Sequence, residues 1–422
     1  MEEALRLKPT VTIDKFDSAI KENTYIIVNE NRQWTISQLI YDIILLLDGN
    51  HTIDEILDKL QQQYGNRLSE TNLQYIINEM FIKNGLICGY EIDPSKANSN
   101  KNKNLWAKKS IIHSKVINRI RIFTALFHPK YFKGLFMMFF LLQIGIVIYL
   151  LLNINLFSLN IYSTMGFHDY VGMVILIFSA TFLHELGHAS ATMANGLISG
   201  DIGIGIYFIM PVLYTDVSQI WKLDKKDRVK VDIGGLYFNM IFNVLLFIIF
   251  FVFRDIRFLF ILFLFTGQIL MTLNPFLKMD GYWCFADIIG IPNLHKVAKN
   301  NTVNIVRRLF RRKPKGEVYN FGEREKKYIN IYSFLTMFYY IGFYGWLASM
   351  SFKALSNISY LINQIINVFV TDVSITDQVL MLGKVISNDL LYYIVIVLLI
   401  RYAMVGIFKF KKFIIRRRGV YE

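Results

Sequence analysis

Two uninterrupted apolar runs, Gly134 to Leu152 and Phe258 to Leu277, constrain this chain more than any other feature. Each approaches the roughly twenty residues that a helix needs to cross about 30 Å of hydrocarbon. Neither carries a charge. In lipid the backbone must satisfy its own hydrogen bonds, so runs of this kind are read as helices. Further runs centred near residues 182, 242, 340 and 399 bring the expected count to about six transmembrane spans. The composition agrees, with 54% hydrophobic residues and only 18% charged among 422, and excludes a purely water-soluble protein. The fold class expected is mainly α, a polytopic membrane helix bundle.

The net charge of +14 does not call for nucleic acid, because the basic residues flank the apolar runs. Residues 153–169 hold no Lys or Arg, whereas 296–327 hold eleven and the tail from Lys409 holds six. Lys and Arg are retained on the cytoplasmic side, so both termini are expected there, in a multi-pass protein of the cell membrane. From Lys101 to Lys133 nine basic residues occur without an acidic one, interleaved with Ile and Phe, which suits an interfacial segment touching anionic lipid. Cys88 and Cys284 cannot form a disulfide framework. The acidic opening Met1-Glu2-Glu3 lacks an apolar core, so no cleaved signal peptide is expected.

The first ninety or so residues have the mixed periodicity of a small soluble domain. Tyr25 to Val28, a turn at Asn29 to Asn31, and Gln33 to Thr35 predict a hairpin. Three helices should follow, capped by Ser37, by a Thr52/Glu55 capping box and by Ser69, with Gly49, Gly65 and Gly85 ending them. The expected organisation is a small soluble domain over 1–92, a basic linker and interfacial segment over 93–133, a membrane-embedded domain over 134–408, and a basic tail over 409–422.

Inside the second apolar run stands His184-Glu185-Leu186-Gly187-His188. Two imidazoles four residues apart share one helix face at the spacing that grips zinc, and the carboxylate between them is placed to act as general base. Ionisable groups are costly at membrane depth, so a function is the default reading; the alternative is polar contact within the bundle. A third ligand is needed. Ala191 and Ala194 stand where an extended motif would need Gly and His, and no Glu occurs between Glu185 and Glu317. Asp280, in Asn274-Pro275-Phe276-Leu277-Lys278-Met279-Asp280-Gly281, is the leading candidate, because a helix should break at Pro275 and Gly281 permits a tight turn. Asp287 and His295 remain alternatives. Gly235, Asn239 and Asn243 recur every four residues on one face of the third run, and Asn274 lies at the proline break. These three asparagines are candidate substrate-binding residues, although helix packing explains Asn239 and Asn243 as readily.

The HExxH on one span followed by Asn-Pro-x-x-x-(Leu/Met)-Asp-Gly on another, over about Tyr170 to Ile291, resembles the site-2 protease family of intramembrane zinc metalloproteases. That resemblance implies His184, His188 and Asp280 as zinc ligands and Glu185 as the catalytic base. Lys278 stands where many members carry proline. The run from Pro211 to Trp221 is similar to a segment of the subgroup attached to peptide-maturation operons. A hairpin followed by three capped helices is similar to the PqqD-like domain, a winged-helix-like α+β module that binds leader peptides by strand addition. Tyr25 to Val28 and the third helix would then form the docking groove. Together the two parts resemble the peptide zinc metalloproteases of modified-peptide operons, epipeptide operons among them. The function implied is cleavage of a ribosomally made peptide precursor at or near the cytoplasmic membrane face, with an ABC exporter and a peptide-modifying enzyme as associated proteins. The other readings are a regulatory protease of a single-pass signalling protein, or a non-catalytic export or immunity protein.

Overall fold

The computed structural model describes residues 4–20, 23–29, 32–65, 68–92, 105–156, 166–207, 210–314, 321–371 and 373–418. The turn residues Glu30 and Asn31 and the linker from Asp93 to Asn100 lie outside the described residues.

The N-terminal region opens with strands β1 (Val11–Phe16), β2 (Thr24–Asn29) and β3 (Arg32–Ser37), antiparallel in that order. The expected hairpin is β2–β3, with Ile27 opposite Trp34; β1, not anticipated, adds a third strand, with Ile13 opposite Ile27. Three helices follow: α1 (Gln38–Leu46), α2 (Ile53–Tyr64) and α3 (Glu70–Ile76), the last running on into π-helical turns over Ile77–Ile82. Thr52 and Glu55 form the reciprocal capping box, and the Ser69 hydroxyl accepts from Asn72 N–H. Ser37 occupies the N-cap of α1, but its hydroxyl makes no capping bond. Ile27, Ile43, Ile56, Leu73 and Phe81 are fully enclosed in one apolar core.

A second antiparallel sheet joins β4 (Leu105–Ile112) to β5 (Ile202–Tyr207) and β6 (Met210–Thr215), in the order β4–β5–β6. Part of the basic stretch read as interfacial is therefore a strand. Gly203 makes the pairing possible, since a Cβ there would lie 2.5 Å from the Lys109 carbonyl oxygen.

Between β4 and β5 run α4 (Phe132–Leu152) and α5 (Phe167–Ala194). After β6 come α6 (Lys225–Asp232), α7 (Gly234–Phe253), α8 (Ile256–Thr272), α9 (Asp280–Ile289), α10 (Leu294–Leu309), α11 (Glu323–Ser356), α12 (Ile358–Val370) and α13 (Ile375–Arg418), the last kinked at Asp389. Among the described residues, three helical runs are long and apolar enough to span a membrane: Phe132–Leu152, Phe167–Ala194 and Lys225–Phe253. The expected spans near residues 268, 340 and 399 are not among these three. α8 has only 17 residues, the apolar stretch of α11 is interrupted by Tyr, Gly and Ser rather than by charge, and much of the stretch of α13 near residue 399 has side chains outside the described residues.

Contacts divide the chain into two compact units. One comprises Met1–Gln143, Thr181–Leu245 and Phe265–Tyr332, and holds both sheets and every candidate site residue. The other comprises Ile144–Ala180, Leu246–Leu264 and Ser333–Glu422. Within it, Arg257 bridges Asp169 and Asp255, and Tyr393 donates to the Leu361 carbonyl at 3.2 Å.

Candidate metal centre

Helix α5 presents His184, Glu185 and His188 near its C-terminal end, where the chain is buried: Ala189, Ser190, Ala191 and Thr192 are fully enclosed. This burial needs close backbone approach. A Cβ on Gly187 would lie 2.3 Å from the Gly234 carbonyl oxygen, so α5 and the start of α7 touch main chain to main chain. Glycine is the only residue that leaves room for it.

The third residue arrives through the proline break. α8 ends at Thr272, the Asn274 side chain accepts from Phe276 N–H at 2.8 Å, and Tyr332 donates to the Pro275 carbonyl at 2.8 Å. The chain then turns so that Asp280 becomes the first residue of α9. Gly281 is required there too, because a Cβ would meet the Leu273 carbonyl oxygen at 2.3 Å. The break thus folds back on itself and aims Asp280 at α5.

The result is a compact donor set. His184 Nε2 and His188 Nε2 lie 2.9 Å and 3.2 Å from Asp280 Oδ2, and 3.2 Å from one another. Two imidazole nitrogens and a carboxylate oxygen are the chemistry of a three-ligand catalytic zinc site. The far side of each ring is held. His188 Nδ1 donates to the Val231 carbonyl at 2.8 Å, which leaves its Nε2 lone pair facing Asp280. His184 Nδ1 lies 3.0 Å from the Asn239 amide, which orients the second ring. Space for an ion is kept by Gly235: a Cβ there would lie 2.5 Å from His188 Nε2 and 2.6 Å from His184 Nε2. The residues therefore fit a metal of zinc's preference, by donor chemistry and by the room left before them.

Glu185 is buried beside the two His, and its carboxylate accepts from Thr215 Oγ at 2.8 Å. Thr215, the last residue of β6, carries no local sequence signal that would mark it as the partner of Glu185. β6 is an edge of its sheet.

Neither alternative ligand joins the group. Asp287 pairs with Arg228 at 2.7 Å, and the His295 ring lies on Tyr282 with centroids 4.2 Å apart. Of the residues considered for substrate, Asn239 meets His184, Asn243 donates to Gln143 and Thr266 in a buried polar cluster, and Asn274 closes the turn at Pro275.

Fold and site together bring an HExxH and a distant aspartate to one point, in a chain with three helices long and apolar enough to span a membrane among the described residues. Over 195 residues, 45% of this chain and 75% of the other, the sequence is 26% identical to the Putative peptide zinc metalloprotease protein YydH of Bacillus subtilis (strain 168). No family model matches the chain. No solved structure matches it.

Proposed function

We propose that this protein is an intramembrane zinc metalloendopeptidase that cleaves a ribosomally made, modified peptide precursor at or near the cytoplasmic side of the cell membrane. The observation that carries the reading is the convergence of His184, His188 and Asp280 next to Glu185, with Gly235 holding the space open. The relative's name, a peptide zinc metalloprotease, supports the same class of reaction.

Zinc held by these three residues would polarise the scissile carbonyl and activate water for attack. Glu185 takes the proton at its carboxylate and delivers it to the departing amine nitrogen. Thr215 keeps that carboxylate in one orientation, so the proton is accepted from a fixed direction. The peptide is best accommodated as an extended strand along the free edge of β6, whose last residue touches Glu185. In this reading the chain crosses the membrane about six times, both termini face the cytoplasm, and the N-terminal domain is PqqD-like and holds a leader peptide. Membrane lipid borders the helices, and a peptide-modifying enzyme and an ABC exporter act on the same peptide.

The test is cleavage of a co-produced precursor, followed by mass spectrometry, beside the metal content of purified protein. Glu185→Gln is expected to keep about one zinc per chain and to lose cleavage by at least about 100-fold. His184→Ala and Asp280→Ala should lose both. Full cleavage by Glu185→Gln would sink the mechanism, and a wild type without zinc would sink the site.

A further inference from the structure

Arg228 is the one arginine among the fully buried large side chains. It lies in Lys225-Lys226-Asp227-Arg228-Val229-Lys230, a run that reads as a solvated helix face. A buried guanidinium is costly unless its N–H groups are matched by acceptors in a fixed geometry. Here three segments supply them. Nε donates to Asp287 Oδ1 at 2.7 Å, Nη1 to the Leu223 carbonyl at 2.9 Å and Nη2 to the Asp17 carbonyl at 2.9 Å. The guanidinium also lies over the Phe16 ring, 4.6 Å from its centroid.

These contacts join three parts with different duties. Phe16 ends β1 of the N-terminal domain and Asp17 directly follows it. Asp287 lies on α9, the helix that begins with Asp280. Arg228 itself lies on α6, whose Val231 carbonyl holds His188. Around the arginine the same segments are stitched again: Lys225 pairs with Asp17 at 3.5 Å and its N–H donates to that carboxylate, while Ala19 N–H donates to the Gly290 carbonyl at 2.8 Å. Two of the three candidate metal donors are thus set by elements that one side chain clamps to the N-terminal domain.

Resting on the metal-centre reading above, we infer that Arg228 is a positioning residue through which the N-terminal domain sets the geometry of the His188 and Asp280 donors. The domain is then a structural part of the metal centre, and what it binds can alter metal affinity. Only a forked, planar cation can satisfy Asp287 and two carbonyls at once, so lysine at this position keeps the charge and loses the clamp.

The experiment uses the full chain in detergent, with wild type, Arg228→Lys and Phe16→Ala compared. Zinc affinity is read by chelator competition, cobalt(II) substitution gives the ligand-field spectrum, and hydrogen exchange is followed over α6 and α9. Both variants should bind zinc about tenfold more weakly, in the range of outer-shell changes at metal sites. Both should shift the cobalt bands while keeping overall helicity. Wild-type affinity and spectrum in Arg228→Lys would overturn the positioning role. A weakened Arg228→Lys beside an unaffected Phe16→Ala would overturn the part given to the N-terminal domain. If wild type binds neither metal, the metal-centre reading fails separately; faster exchange over α6 and α9 in both variants would still support the clamp, and unchanged exchange would overturn it.

Discussion

The N-terminal domain and the metal centre solve opposite problems. The domain buries Ile27, Ile56, Leu73 and Phe81 and leaves its polar groups to caps and turns. The centre buries His188, Glu185 and Asn239 and relies on glycines at residues 187 and 235 for room. In the first, many apolar contacts share the stabilisation and each is replaceable within limits of volume. In the second, single atoms decide whether a donor set exists, so tolerance to substitution should differ sharply between the two.

The largest test of that contrast is one methyl group. Gly235→Ala puts a Cβ where the imidazole nitrogens converge and should abolish stoichiometric zinc binding, with helicity by circular dichroism unchanged. Wild-type zinc content in this variant would mean that the room at residue 235 does not serve a metal. The converse change is Phe81→Ala, which empties a fully buried site in the domain. It should cost about 3–5 kcal/mol of domain stability, read by denaturant-dependent proteolysis, and leave zinc affinity as it was at temperatures where the domain stays folded. A smaller effect is expected within the centre at Thr215→Val, which keeps shape and removes the hydroxyl donor to Glu185. A hydrogen bond to a charged group is worth about 1.5–3 kcal/mol, so kcat should fall about 10- to 100-fold while KM and zinc content hold; Thr215→Ser should restore most of the rate.

The smallest effect returns to the domain. The Thr52 N–H holds the Glu55 carboxyl below the usual carboxylate range at the start of α2. A depressed folded pKa contributes stability that is complete above the unfolded pKa and is lost as pH falls through the folded one. Acidification below about pH 4.3 should therefore loosen α2 first at this end, and Glu55→Gln, which removes the titrating group, should flatten that response in amide exchange.

What the sequence disclosed follows the same division. Thr52, Glu55 and Ser69 declared their caps because capping is local, and HExxH declared itself because both imidazoles ride one helix. Asp280 was reachable from Pro275 and Gly281, whose backbone consequences are also local. β4 was missed because its partner β5 lies beyond two long helices in the chain, and its lysines masked a strand. Arg228 was hidden for a related reason: a charged run signals solvent, and only the packed structure reveals acceptors from Asp17, Leu223 and Asp287. Of the expected spans, hydropathy alone located three that are long apolar helices among the described residues, and the break expected at Pro275 is seen where α8 stops at Thr272 and yields to the turn that delivers Asp280.

The main-chain contact between Gly187 and Gly234 acts as a dovetail joint. With no side chains between them, the two helices have nothing to re-pack, and rolling either one has no cheap intermediate. Both imidazoles ride on one half of that joint, so they are fixed together. The Asp280 carboxylate reaches them from the start of another helix, so the two nitrogens and the oxygen beside them are set by different parts of the chain.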